Sequence, residues 1–336
     1  MRYAKRKLGT LEVSPVGMGC MGLSHGYGRI PSEEQSIDAI RAAYEAGCVF
    51  FDTAEAYGPE LKEPGHNEKI VGKAVKDFRK YIVLATKLHI PSSELEGKSL
   101  YEFVKGHLLS SLRRLQTDYA DLYYLHRVNP EVPVEEVADV MGQLAKEGLI
   151  RGWGLSQVDA ATIAKAHTVT PVSAVQNIYN LLERDAEAEV IPYCLSQGIG
   201  FVPFSPVASG FLSGKIDVST EFEKKDDVRN WVPQLTKENI AGNQPFLEAL
   251  ERFSAPKGAT YAQLALAWML RKYPNVVPIP GSKRKERILE SLGAWDVVFT
   301  DEEFSAFEEA LSSLTVHGHR GQVEYSNASP AMKEAR

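Results

Sequence analysis

The sequence predicts a single (β/α)8 barrel of the TIM type, an α/β fold with its strands inside and its helices outside. Three observations point there. Eight short apolar runs recur along the chain, each followed by an amphipathic stretch. The runs hold few polar side chains, as expected of parallel strands covered on both faces. The length, 336 residues, suits eight such units in one domain better than an open sheet. No shift in composition marks a linker, so 1–336 reads as one domain.

The first run, VGMGC (16–20), precedes a stretch with Ile37, Ile40, Ala43, Tyr44 and Gly47 at helical spacing. Ser32 opens that helix with Gln35 three residues on, a capping-box pattern. The second run, VFFDTA (49–54), leads to a helix over about 68–76. YIVLATK (81–87) leads to a long helix over 99–115, and DLYYLH (121–126) to one over 134–147. IRGWGLS (150–156) precedes a helix at 159–167, and SAVQNIYN (173–180) one at 186–197. GFVPFSP (200–206) reaches its helix only at 259–272, and VVPIPGS (276–282) leads into 285–293. Gly47, Gly148, Gly198 and Pro274 punctuate the junctions, as helix stops and turns require. A further helix at 301–313 is expected to pack outside the barrel. Two stretches break the repeat. The long loop 207–245, after strand seven, reads as a lid or as disordered. The polar tail 315–336 is expected to fray over its last ten or so residues.

Composition removes several functions. With 44% hydrophobic and 24% charged residues the chain has ample material for a large core. The net charge of −6 gives no basic excess for a nucleic-acid backbone. No apolar run approaches a membrane span, and the basic start MRYAKRKLGTLEV has no signal-peptide core. Cys20, Cys48 and Cys194 are too few and too widely spaced for a disulfide framework or a metal knuckle. These features predict a cytoplasmic protein without metal, membrane or nucleic-acid partners, and they leave its oligomeric state open.

In a barrel the working residues stand at the C-terminal ends of strands. Strand two ends in Asp52, with Tyr57 five residues on; strand three ends in Lys87, and strand four in His126. Alone, each has a bland reading as a cap or a satisfied polar group. Lys87 beside an apolar strand, however, needs a partner. Together they set four proton-active groups on three neighbouring strands. GMGCMG (17–22) matches the GxGxxG dinucleotide fingerprint but fails on context. No helix starts within it, and no acid ends a strand about 20 residues later. Its glycines are expected to keep the first loop low beside the site.

The strings FDTAEAYG (51–58), LATK (84–87), LYYLHR (122–127), GLSQ (154–157), VQNIYN (175–180), FSPVASGFLSGK (204–215) and IPGSKRKERILESLGA (279–294) resemble the aldo-keto reductases from about residue 7 to 314. The closest flavour is the longer-loop bacterial and plant members of the perakine-reductase type. The resemblance implies a catalytic tetrad of Asp52, Tyr57, Lys87 and His126, NADPH as cofactor and a small carbonyl compound as substrate. Hydride reduction of a carbonyl leaves an oxyanion to be protonated. Tyrosine is a poor acid at neutral pH unless a cation such as Lys87 lowers its pKa. Asp52 would hold Lys87 charged and aimed, and His126 would donate to the carbonyl oxygen or orient it.

The cations Lys283, Arg284, Lys285 and Arg287 at a helix start oppose the helix dipole, a conflict that a bound anion relieves. The resemblance makes that anion the 2′-phosphate of NADPH, on Ser282, Lys283 and Arg287, with Glu290 and Ser291 bordering the adenine. It also places the carboxamide on Ser156, Gln157 and Gln176, and the nicotinamide face on Phe204. The diphosphate falls to Ser205, Gly210, Leu212 and Lys215, with Gly19, Cys20 and Met21 near the ring and Arg229 clamping from the loop. Gln157 and Ser291 stand where the family usually has Asn, and Phe204 where Tyr is common. Two alternatives remain beside carbonyl reduction: Lys87 as a Schiff-base lysine, which Asp52 and Tyr57 argue against, and a cofactor-sensing regulatory subunit resembling channel β-subunits.

Overall fold

The computed structural model describes residues 3–95 and 97–321. Its frame is a parallel sheet in sequential order: β3 (Met18–Gly19), β4 (Phe50–Asp52), β5 (Val83–Leu88), β6 (Ala120–Leu125), β7 (Ile150–Ser156), β8 (Ala174–Gln176) and β9 (Gly200–Phe201). The eighth run makes the last stave without becoming a regular strand. Val277 and Ile279 donate to the carbonyls of Phe201 and Pro203, while Gly17 and Gly19 donate to those of Pro278 and Pro280 at 2.9 and 3.1 Å. The segment therefore pairs on both sides and closes the ring. Pro278 and Pro280 carry no N–H toward β3, so half of that ladder is missing.

The first two glycines of GMGCMG are required by this joint. A Cβ on Gly17 would strike the Phe50 ring at 2.6 Å, and one on Gly19 the Ile279 carbonyl oxygen at 2.8 Å. They permit close packing of neighbouring staves.

Below the barrel lies a hairpin that the apolar pattern did not announce: β1 (Arg6–Leu8) and β2 (Leu11–Val13), turned through Gly9 at φ +60°. Leu8 and Val13 plug the barrel floor, packed with Phe50, Leu122, Val202 and Val277. Around the staves run α1 (Glu33–Glu45), α2 (His66–Val75), α3 (Leu100–Leu115), α4 (Val134–Lys146), α5 (Ala160–Val169) and α6 (Val190–Ser196). Ser32 and Gln35 form the capping box expected of α1.

The interval after β9 is more ordered than a plain loop. It passes through a series of 3₁₀ turns into α7 (Lys237–Gly242) and α8 (Gln244–Ser254), then α9 (Tyr261–Lys272), α10 (Lys285–Leu292) and α11 (Asp301–Ser312). Neither α7 nor α8 was expected. As predicted, α11 lies outside the barrel, where its Phe307 meets Phe253 of α8 and Phe299.

Residues 315–321 cross back over α7 and α8. His317 exchanges hydrogen bonds with Asn243, and Gln234 donates to the His319 carbonyl. The backbone of Arg320 and the side chain of Gln234 both donate to Glu183. Burial pushes the Glu183 carboxyl up to about 7. The fraying expected of the tail falls on 322–336, outside the described residues. Among the described residues no helix is long and apolar enough to cross a membrane.

Candidate active site

Asp52 ends β4 and Lys87 stands one residue before the end of β5, so both side chains reach the barrel mouth. Lys87 is fully buried. Its Nζ donates to Asp52 Oδ1, to the Thr53 carbonyl at 2.7 Å and to the Tyr57 hydroxyl at 3.3 Å. Gln176, from β8 across the mouth, donates to the other Asp52 oxygen at 2.8 Å. Burial opposes the Lys87 charge, but Asp52 and Tyr57 outweigh it and hold the ammonium above its usual range. Burial pushes the Asp52 carboxyl up against the pull of Lys87 and Gln176. The pair keeps its shared proton on Lys87.

Tyr57 departs from expectation. Burial raises its pKa, and Lys87 offsets that only in part, so the net direction is upward and the phenol holds its proton. His126 follows β6 directly and is anchored by its own N–H on the Leu88 carbonyl at 2.8 Å. Its ring meets Tyr57 edge-on, centroids 5.7 Å apart, and lies 4.4 Å from the His89 ring. Burial first, then Lys87, His89 and Arg127, drives its pKa well below the usual imidazole value, so it is neutral.

Asn67, at the start of α2, ties this corner together, and nothing in the sequence pattern singled it out. It donates to the Cys20 carbonyl and to Ser24, accepts from Thr53 at 2.6 Å, and takes the Tyr57 carbonyl on its own N–H at 3.0 Å.

A cavity of about 1090 Å³ opens above these groups. Asp52 and Tyr57 line it, with Gly19, Met21, Ser156, Gln176, Phe204, Ser205, Gly210, Lys215 and Arg229. So do Ser282, Lys283, Arg287, Glu290 and Ser291 at the outer end. Three expected cofactor contacts are not on its wall. Cys20 turns into the layer between staves and helices and is completely buried, its N–H on the Asp52 carbonyl. Leu212 is equally enclosed in that layer. Gln157 adopts a left-handed backbone at φ +56°, and its side chain accepts from the Ile178 N–H at 2.9 Å. Conversely, the sequence pattern did not point to His25, Arg127, Trp231 and Arg320, which do line the cavity.

The rim cations are held in place. Lys283 donates to the carbonyls of Tyr27 and Arg29, and Arg287 pairs with Glu290 at 2.5 Å. Arg229 grips buried Asp227 with two nitrogens, over the faces of Phe222 and Tyr27. The start of α10 has no side-chain cap. Among the described residues no cluster of His, Cys, Asp or Glu could hold a metal.

Fold and site together define a barrel with a buried, hydrogen-bonded Asp52–Lys87–Tyr57 cluster beside a cation-rimmed cavity. The aldo/keto reductase family model matches residues 15–312. A probable aldo-keto reductase from Glycine max is 38% identical over 325 residues, covering 94% of this chain and 90% of that protein. The chain belongs to the aldo/keto reductase family, and is an oxidoreductase. An aldo/keto reductase from Klebsiella pneumoniae, solved with NADP and acetate, is similar at 26% identity and TM-score 0.69, over 93% of this chain and 95% of that one. A glycerol dehydrogenase from Gluconobacter oxydans shares the fold at TM-score 0.81 and 24% identity, over 98% of each chain.

Proposed function

We propose that this protein reduces aldehydes or ketones to alcohols with NADPH, and that Tyr57 delivers the proton. The observation that carries this reading is the buried Lys87 ammonium bonded to Asp52 and to the Tyr57 hydroxyl, the two residues that line the large cavity there. The cavity fits a dinucleotide in size and in chemistry. It exceeds the usual range for a single small ligand, and its outer end offers Ser282, Lys283, Arg287 and the uncapped start of α10 to a phosphate. That the Klebsiella relative was solved with NADP supports the same cofactor.

When bound, NADPH supplies the hydride. The chain's own groups do the rest. Tyr57 holds its proton because burial favours the neutral phenol, and gives it to the carbonyl oxygen as negative charge builds there. Lys87, 3.3 Å from that hydroxyl, then steadies the phenolate left behind. Asp52 fixes Lys87 in its charged form, and Gln176 fixes Asp52. His126, neutral, presents a ring N–H to the substrate oxygen without adding a second mobile charge. The cation-rimmed end prefers NADPH to NADH.

Oxidation of NADPH and of NADH, followed side by side with a panel of carbonyl compounds, tests the proposal. Turnover faster with NADPH, abolished by Tyr57→Phe, is the expected result. NADPH binding without turnover of any carbonyl would turn the assignment toward a cofactor-sensing regulator.

A further inference from the structure

The segment 315–321 ends on the large cavity, where His319, Arg320 and Gly321 are part of the wall. It is a strap built onto the long stretch after β9. Gly318 and Gly321 take left-handed backbones at φ +74° and +101°. A Cβ on Gly318 would meet the Pro233 backbone at 3.0 Å, and one on Gly321 the Trp231 carbonyl oxygen at 3.1 Å. Glu183, in the loop after β8, ties the two together, since its carboxyl accepts from the Arg320 backbone N–H and from the Gln234 side chain. The strap lies past residue 312, where the family match ends, so the resemblance carries nothing about what it contributes.

With its backbone anchored, Arg320 turns its side chain to the loop after β9, where Nε donates to Ser205 Oγ at 3.3 Å. Among the described residues no carboxylate pairs with its guanidinium, and the two terminal nitrogens have no hydrogen-bond partner. The carboxyl that feels its charge is Glu183, which burial pushes up to about 7 and whose bonds go to the backbone and to Gln234. Other cations of the wall are engaged: Arg287 by Glu290, Arg229 by Asp227, and Lys283 by the carbonyls of Tyr27 and Arg29.

Ser205 opens the stretch 205–215 proposed for the cofactor's diphosphate, and Lys215 is its only charged residue. A diphosphate bridge carries two negative charges, so that stretch alone leaves one of them unmatched. A planar guanidinium beside Ser205 supplies the second positive charge and can grip a phosphate with two N–H groups. Resting on the nicotinamide-cofactor reading above, we infer that Arg320 binds the diphosphate of the cofactor, so that the C-terminal strap is a working part of the cofactor site.

Calorimetric titration with NADPH, NADH and ADP-ribose tests this without turnover. ADP-ribose keeps the diphosphate but lacks both the nicotinamide and the 2′-phosphate. Arg320→Gln removes the charge and keeps the backbone N–H on Glu183, so the strap stays tied down. It should weaken all three ligands by about 10- to 100-fold, as expected for charged hydrogen bonds. Arg320→Lys should restore part of the affinity, and the gap between the parent protein and Arg320→Gln should narrow at high salt. Unchanged affinity for all three ligands overturns the inference and leaves Arg320 as a surface charge. A loss confined to NADPH also overturns it, by moving Arg320 to the 2′-phosphate, and a loss that spares ADP-ribose does so by moving it to the nicotinamide half. A parent protein that binds none of the three overturns the cofactor reading itself and this inference with it.

Discussion

Replacing Lys87 with methionine keeps the length of the side chain and removes its charge, and the structure sets what that costs. Asp52 is 2% exposed and has two donors, Lys87 and Gln176. Without Lys87 it keeps one neutral donor in a nearly closed site. Breaking a buried ion pair by removing one partner typically costs about 3–5 kcal/mol. The cost should depend on pH, and its sign follows from Asp52. With the cation gone, burial is opposed only by the Gln176 hydrogen bond, and the folded pKa rises further above the unfolded value. A carboxyl raised on folding contributes stability while it is protonated and loses it as pH climbs through the folded pKa. Urea denaturation followed by tryptophan fluorescence should therefore show Lys87→Met losing about 3–5 kcal/mol at pH 8 and clearly less at pH 5. The double variant Asp52→Asn/Lys87→Met, with no charge left to bury, should recover most of the loss. A single variant within about 1 kcal/mol of the parent at both pH values would refute the reasoning, because Asp52 would then have found another partner.

Tyr57→Phe should lower carbonyl reduction by about 10²–10⁴-fold while NADPH binding, read by quenching of protein fluorescence, stays intact. Arg287→Ala should weaken NADPH by about 10- to 100-fold and leave NADH unchanged, since only the former has the extra phosphate; equal losses would make the side chain a fold element. Glu183, raised to about 7 by burial, contributes most below its unfolded pKa near 4.3 and loses that contribution as pH rises through 7. Thermal melts of Glu183→Gln at pH 5 and pH 8 should thus differ less than those of the parent protein, and an unchanged difference would show that Glu183 does not titrate in this range.

Much of the frame was legible because its signals are local. Apolar runs at regular intervals announce staves, and a hydroxyl with Gln or Glu three residues on announces a helix start, as Ser99–Glu102 and Thr260–Gln263 also show. Signals that depend on distant partners were not legible. Each strand of the floor hairpin has three residues, too few for alternation to register. The prolines of the last stave make sense only once its neighbours are known. At the site, strand ends located the Asp52, Tyr57, Lys87 and His126 cluster, because position on a strand fixes which end a residue occupies. The motif around Gly19 and the one around Gly210 said less about individual side chains. A single backbone rotation turns Gln157 away, and Cys20 and Leu212 point outward into the helical layer. Arg127 and Arg320 reach the cavity through long side chains whose direction no local pattern dictates.

The half-missing ladder between β3 and the last stave gives the barrel a clasp. Every other joint of the ring is a run of paired backbone, whereas this one rests on the N–H groups of Gly17 and Gly19 and the tight approach their bare backbones allow. Gly19, Ile279 and Gly281, on either side of that joint, are also cavity wall. Under the proposed function, a dinucleotide laid along that wall spans the clasp and fastens it. Ligand affinity and the integrity of the ring then draw on one free energy, as linkage requires. A chain in this family that loosened the clasp would lose cofactor without losing a single side chain that touches it.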